Sequence, residues 1–171
     1  MKTAQLFVLT IAALAIFAVS ADAQKKPKRP VPKPVPTPVA PLDVRTAKQK
    51  VSNQISNVTR FSDVLGPIAA SIESIDRESK TKRLKKSEID ANEANKQKVL
   101  AAIRNLKAGL TSLETEFRTK PTLRKYLLNI DGITLLGTQS EDSALAGRFV
   151  ESRKPLLAVL KKLSDTFAAM P

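Results

Sequence analysis

The 171-residue chain contains no cysteine, no histidine and no tryptophan. Without His or Cys there is no Ser-His-Asp or Cys-His nucleophile, no thiolate or imidazole zinc site and no usual haem ligation. Di-iron bundles fall with them, because their Glu-x-x-His half is missing. Disulfides are excluded as well, so stability rests on side-chain burial alone. Aromatic residues are scarce, with six Phe and one Tyr. A core drawn mostly from Leu, Ile, Val and Ala at helical spacing favours helices over a sandwich.

Acidic residues are also in short supply. Twenty-nine Lys and Arg face sixteen Asp and Glu, a net charge of +13. A field of that sign attracts anionic partners.

The chain opens with Lys2, an apolar run over residues 6–18 and the small-residue pattern Ala21-Asp22-Ala23. This order reads as a secretory signal peptide cut after Ala23. The run is shorter than the roughly 20 residues that the bilayer core demands of a helix. The alternative is an uncleaved signal anchor that leaves the protein tethered to a membrane. Cleavage would remove one base, Lys2, and one acid, Asp22, so the excess of positive charge belongs to the exported part.

Residues 24–42 carry proline at 27, 30, 32, 34, 36, 38 and 41. Proline fixes φ and lacks an amide donor, which leaves polyproline II and a solvated arm. At about 3.1 Å per residue the arm would reach roughly 60 Å. Lys25, Lys26, Lys28, Arg29 and Lys33 make it basic, with no acid among them.

A helical domain is expected over 43–171. Val44, Val51, Val58, Leu65 and Ile72 recur every seven residues, widened by Ala47, Ile55, Phe61, Ile68 and Ile75. They form one apolar face of a long helix with Asp43 as its N-cap. Gly66-Pro67 falls inside it and predicts a kink or tight break. A basic connector follows, with Lys80, Lys82, Arg83, Lys85 and Lys86. Ser87-Glu88-Ile89-Asp90 resembles a capping box that starts a second helix. Its first turns are polar on all sides and are expected to project beyond the core, and its seam begins at Val99 and runs through Ile103, Leu106, Leu110, Leu113 and Phe117.

Pro121 stops that helix. A short helix from Pro121 to about Ile130, with Gly132 just past its end, is preferred to a hairpin turning at Asp131-Gly132. A third long helix, kinked at Pro155, is expected from Ser140 onward with the stripe Leu145, Phe149, Leu156, Leu160, Leu163, Phe167 and Met170. The fold class is therefore all-α: an up-and-down bundle of three long helices, two of them Pro-kinked, plus one short helix.

No catalytic, cofactor or metal residues emerge. Ser79-Lys80-Thr81-Lys82 matches S-x-x-K, but the companion S-D-N and K-T-G patterns are absent. Asp90, Asn92 and Glu93 lack the spacing and the turn glycine of a calcium loop. Glu114 and Glu116 lie two apart on a helix, point in different directions and read as solvated surface carboxylates. Asn57-Val58-Thr59 fits the glycosylation pattern, within a predicted helix. The basic tracts hold no aromatic stacking platform, which argues against nucleic acid as the partner.

The sequence thus describes an exported, non-enzymatic interaction module of the envelope or extracellular space. Its expected partner is an anionic surface, made of lipid head groups or cell-wall polymer, or an acidic protein. Lys25, Lys26, Lys28, Arg29, Lys33, Lys80, Lys82, Arg83, Lys85 and Lys86 are the candidate contacts. The alternative is a periplasmic-type holdase or assembly factor that grips clients in an apolar groove; the two differ in how much apolar surface the seams leave open. Oligomerisation through the same seam is a third option, decided by mass in solution.

Overall fold

The computed structural model describes residues 40–81 and 84–171. The signal peptide and nearly all of the Pro-rich arm lie outside the described residues, as do Lys82 and Arg83. No described helix is long and apolar enough to cross a membrane.

Every regular element among the described residues is helical. Helix α1 (Leu42–Thr81) runs up and α2 (Lys86–Thr119) runs down. A 3₁₀ segment (Pro121–Tyr126) leads into the single turn α3 (Leu127–Ile130), followed by α4 (Ile133–Leu145) and α5 (Arg153–Ala169). Helices α1, α2, α4 and α5 close a ring in which α1 packs on α2 and α5, and α4 packs on the same two. Side-chain pairs fix the directions. Arg104 and Glu114 of α2 meet Glu141 and Thr134 of α4, and Ser62 and Lys48 of α1 meet Arg153 and Met170 at the two ends of α5. Each helix is therefore antiparallel to its neighbours, as in an up-and-down bundle.

The seven-residue stripe of α1 is the spine of the core. Val44, Val51, Val58, Leu65 and Ile72 are each at most 2% exposed. Opposite them lie Ile103, Leu110 and Phe117 from α2, Ile133 from α4, and Leu156 and Leu163 from α5. The 3₁₀ segment and α3 cover the lower end with Leu123, Tyr126 and Ile130.

Several expectations about the helices need correction. Of the kink or tight break expected at Gly66-Pro67, the break is not formed: α1 is one helix across the pair, with Pro67 on the exposed face, where water can serve the carbonyl that its missing amide leaves free. The predicted third long helix is two helices. Gly147, at φ 76°, ends α4 with the paired bonds Arg148 N–H to Ser143 C=O (2.9 Å) and Gly147 N–H to Ala144 C=O (3.0 Å) of a Schellman cap. Pro155 then falls in the first turn of α5, where no amide is needed, so it marks a beginning and no kink. Leu145, assigned to the buried stripe, is 55% exposed because α4 stops there.

The others concern α2 and α4. Helix α2 starts at Lys86, with the Glu88 carboxylate accepting the Lys85 backbone N–H at 2.9 Å, so Ser87 is not its cap. The first turns of α2 also dock on α1. Asn92 is 3% exposed and donates to Asp76 Oδ1 at 2.9 Å, while Lys96 pairs with the same carboxylate at 2.8 Å. Helix α4 begins at Ile133, well before Ser140, directly after Gly132 at φ 86°.

Replacing Gly147 by Ala should cost about 1 kcal/mol, the penalty of a Cβ in the left-handed region. Urea unfolding of the two proteins checks this, and an unchanged midpoint would show that the α4 cap contributes nothing.

Candidate functional site

The basic residues singled out in the sequence are only partly brought together. Lys25, Lys26, Lys28, Arg29, Lys33, Lys82 and Arg83 lie outside the described residues. Lys80 occupies the last turn of α1, Lys85 caps α2 and Lys86 is its first residue, so all three are exposed at the upper end of the bundle. Two arginines not marked in the sequence join this end. Arg77 and Lys80 line one wall of a groove of about 470 Å³, and Arg148, just beyond the Gly147 turn, lines the other. Arg77 sits three residues before Lys80 on the same exposed strip of helix, a spacing legible in the sequence. Arg148 reaches the groove only because α4 ends where it does.

Acidic residues share this groove, and each is engaged within the protein. Glu73 Oε1 accepts the Val150 N–H at 2.8 Å. Asp76 holds Lys96 and Asn92, and Glu151 holds Arg148 at 3.0 Å. Lys86 pairs with Asp90 at 2.8 Å on the open surface. Arg77, Lys80 and Lys85 make no ion pair among the described residues. The half-buried Lys96 ammonium is pushed down by burial, but its contacts with Asp76 outweigh this and leave its pKa raised. It stays charged and keeps Asp76 occupied.

The same region holds the residues of two weak motifs. Ser79 Oγ donates back to the Asp76 carbonyl at 2.9 Å, as helical serines do, and Lys82, the lysine of its motif, lies outside the described residues. Asp90 pairs outward with Lys86 while Asn92 turns inward to α1, so the residues of the suggested calcium loop diverge.

The carboxylates read as solvated from the sequence are not. Glu114 is 4% exposed. Its Oε1 accepts the Gly132 N–H and its Oε2 the Thr134 N–H, both at 2.9 Å, so a side chain of α2 caps α4. Arg118 binds Oε1 at 2.7 Å and also bridges to Asp131. Burial raises the Glu114 pKa, but the hydrogen bonds from Arg118, Thr134 and Gly132 prevail and bring it to about 2. Glu116 is held by Lys50 and Lys120, each at 2.7 Å, and its pKa is lowered, burial being overcome by these two cations. Glu141 is clamped by Arg104 and Lys107, whose hydrogen bonds lower its pKa. A carboxylate fixed in its ionised form by such partners is a poor proton shuttle near neutrality. These three acids tie helices together.

No protein-family model, curated protein or solved structure matches the chain.

Proposed function

We propose that the protein is an exported, non-enzymatic helical module that attaches to an anionic surface of the envelope or extracellular space, with the upper end of the bundle and the basic arm as its contacts. One observation carries the reading. Arg77, Lys80 and Lys85 project from the upper end without ion-pair partners among the described residues, while the neighbouring carboxylates are all engaged. Lys85 and Lys86 also stand at the positive end of the α2 dipole, where a cation works against helix stability. Lys86 is offset by its pair with Asp90, whereas Lys85 has no such partner among the described residues and is more simply explained by an external anion than by folding.

The arm supports the same reading by its charge. Lys25, Lys26, Lys28, Arg29 and Lys33 precede α1 in sequence with no acid among them. A holdase with an open seam draws less support, because the stripes that would form its groove are consumed by the core.

Each basic residue near an anionic surface contributes on the order of 1 kcal/mol. Changing Lys80, Lys85 and Lys86 together to Gln should therefore weaken attachment to anionic vesicles about a hundredfold, at about 1.4 kcal/mol per tenfold. Raising salt well past about 0.15 M, where the Debye length is near 8 Å, should release the unaltered protein. Sedimentation with vesicles or cell-wall fragments at low and high salt tests both points, and attachment insensitive to salt would remove the proposal.

A further inference from the structure

Between the middle of α1 and the start of α5 lies a notch of about 360 Å³. Its floor is Gly66, Ala69 and Ala70, on one strip of α1, and its walls are Val150 and Leu157, which are 47% and 45% exposed. A Cβ on Gly66 would meet nothing within 4 Å, so the open volume adjoins that residue. The charged residues at the rim are Arg153 and Lys154, and no carboxylate lines the notch. Arg153 donates its Nε–H to the Ser62 carbonyl at 3.0 Å, which fixes the guanidinium at the edge. Its terminal NH₂ groups have no ion-pair partner among the described residues. Lys154 is 79% exposed and lies 3.7 Å from Glu151, at the limit of pairing range.

The geometry points to a binding site for a single-chain anionic amphiphile: an acyl chain lying over Gly66, Ala69 and Ala70 between Val150 and Leu157, with its carboxylate or phosphate head at Arg153 and Lys154. Apolar walls favour an apolar occupant over water. Arg153, without an ion-pair partner among the described residues, and the exposed Lys154 beside it set the sign of the head group. A peptide strand would bring backbone amides for which the floor and walls offer few partners, since the carbonyls of α1, apart from the one at Asp63 that Pro67 leaves free, are spent within the helix. An acyl chain brings none. The inference rests on the anionic-partner reading for the sign of its ligand, but it uses none of the residues at the upper end of the bundle.

The test is a calorimetric titration of the full chain with lauroyl lysophosphatidylglycerol below its micellar concentration. Lauroyl lysophosphatidylcholine, inorganic phosphate and a Leu-containing acidic peptide serve as comparison ligands. The anionic amphiphile should bind at least tenfold more tightly than the zwitterionic one, with no detectable binding of phosphate or peptide. Ala70→Phe, at an exposed helical position, fills the notch and should lower the affinity at least tenfold while leaving the thermal midpoint unchanged. Lys154→Glu should lower it several-fold. Equal affinity for the two lipids, for phosphate alone or for the Ala70→Phe protein overturns the assignment, and tighter binding of the peptide makes the occupant a protein instead. Salt-sensitive vesicle attachment by a chain that ignores the monomeric amphiphile would eliminate the notch and leave the cationic end standing. Amphiphile binding without vesicle attachment would do the reverse.

Discussion

Glu114→Ala should destabilise the protein by about 3 kcal/mol at pH 7, because it strips a buried carboxylate of roles that nothing else can fill. The Gly132 and Thr134 amides at the start of α4 would lose their acceptor, and Arg118 would keep only Asp131. The pH dependence separates this account from a simple cavity. Folding holds the carboxyl at about 2, against an ordinary value of 4.5. A depressed folded pKa means that the unfolded chain binds the proton first on acidification, so the contribution is complete above about 4.5 and fades as the pH falls through about 2. At about 1.4 kcal/mol per pKa unit the shift corresponds to about 3 kcal/mol, in line with the mutational figure. Stability curves of the two proteins should therefore run parallel from pH 7 to about 5 and converge toward pH 2. Glu116 and Glu141, whose pKa values are also lowered, add acid sensitivity of the same sign to both proteins and cancel in the difference. A gap that stays constant down to pH 2 would mean that Glu114 acts by its bulk and not by its charge.

The position of Glu114 could have been read from the sequence, but its environment could not. It lies four residues after Leu110 and three before Phe117, on the buried stripe of α2, and a carboxylate on such a stripe requires partners. Arg118 lies four residues on in the same helix, but the other partners come from the turn at Gly132, and no pattern in a single chain announces that a carboxylate on one helix will cap another. Asn92 teaches the same lesson. It stands seven residues before Val99, so the seam of α2 continues in phase while its composition turns polar. Judged by hydrophobicity the seam ends at Val99; judged by phase it reaches the upper end of α1, where Asn92 meets Asp76.

The long stripes of α1 and α2 were legible because seven-residue periodicity is a property of the helix itself, with no tertiary contact needed to reveal it. The stretch from Ser140 to Met170 misled for the opposite reason. Phe149, Leu156 and Leu163 keep an approximate helical phase across a turn that is not helical, since buried residues on both sides of a tight reversal face one core. The local signals were more faithful than the phase. Gly147 is a stop and Pro155 belongs in a first turn. The basic end shows a further limit. Lys80, Lys85 and Lys86 stood out by their density, whereas Arg148 reaches the groove beside Lys80 only by way of the reversal at Gly147.

Pro67→Ala should move stability the other way, raising it by about 2 kcal/mol. Proline inside a helix forfeits one backbone hydrogen bond and crowds the carbonyl four residues earlier, here that of Asp63, at about 3 kcal/mol. Against this gain, proline restricts the unfolded chain, and its removal gives back about 0.4–1 kcal/mol of that advantage. The residue before proline supplies a sharper test. A Cβ at that position collides with the proline ring when the backbone is α-helical, and Gly66 has none. Gly66→Ala would meet open space on every other side. In an ordinary helix the exchange would gain about 0.5–1 kcal/mol, but beside Pro67 that gain should vanish or reverse. In the Pro67→Ala background it should return, so that the double variant exceeds the sum of the single ones by about 1 kcal/mol. Chemical unfolding of the four proteins measures the coupling. Strict additivity would show that Gly66 and Pro67 occupy α1 independently, and that the glycine is not what lets the helix carry its proline.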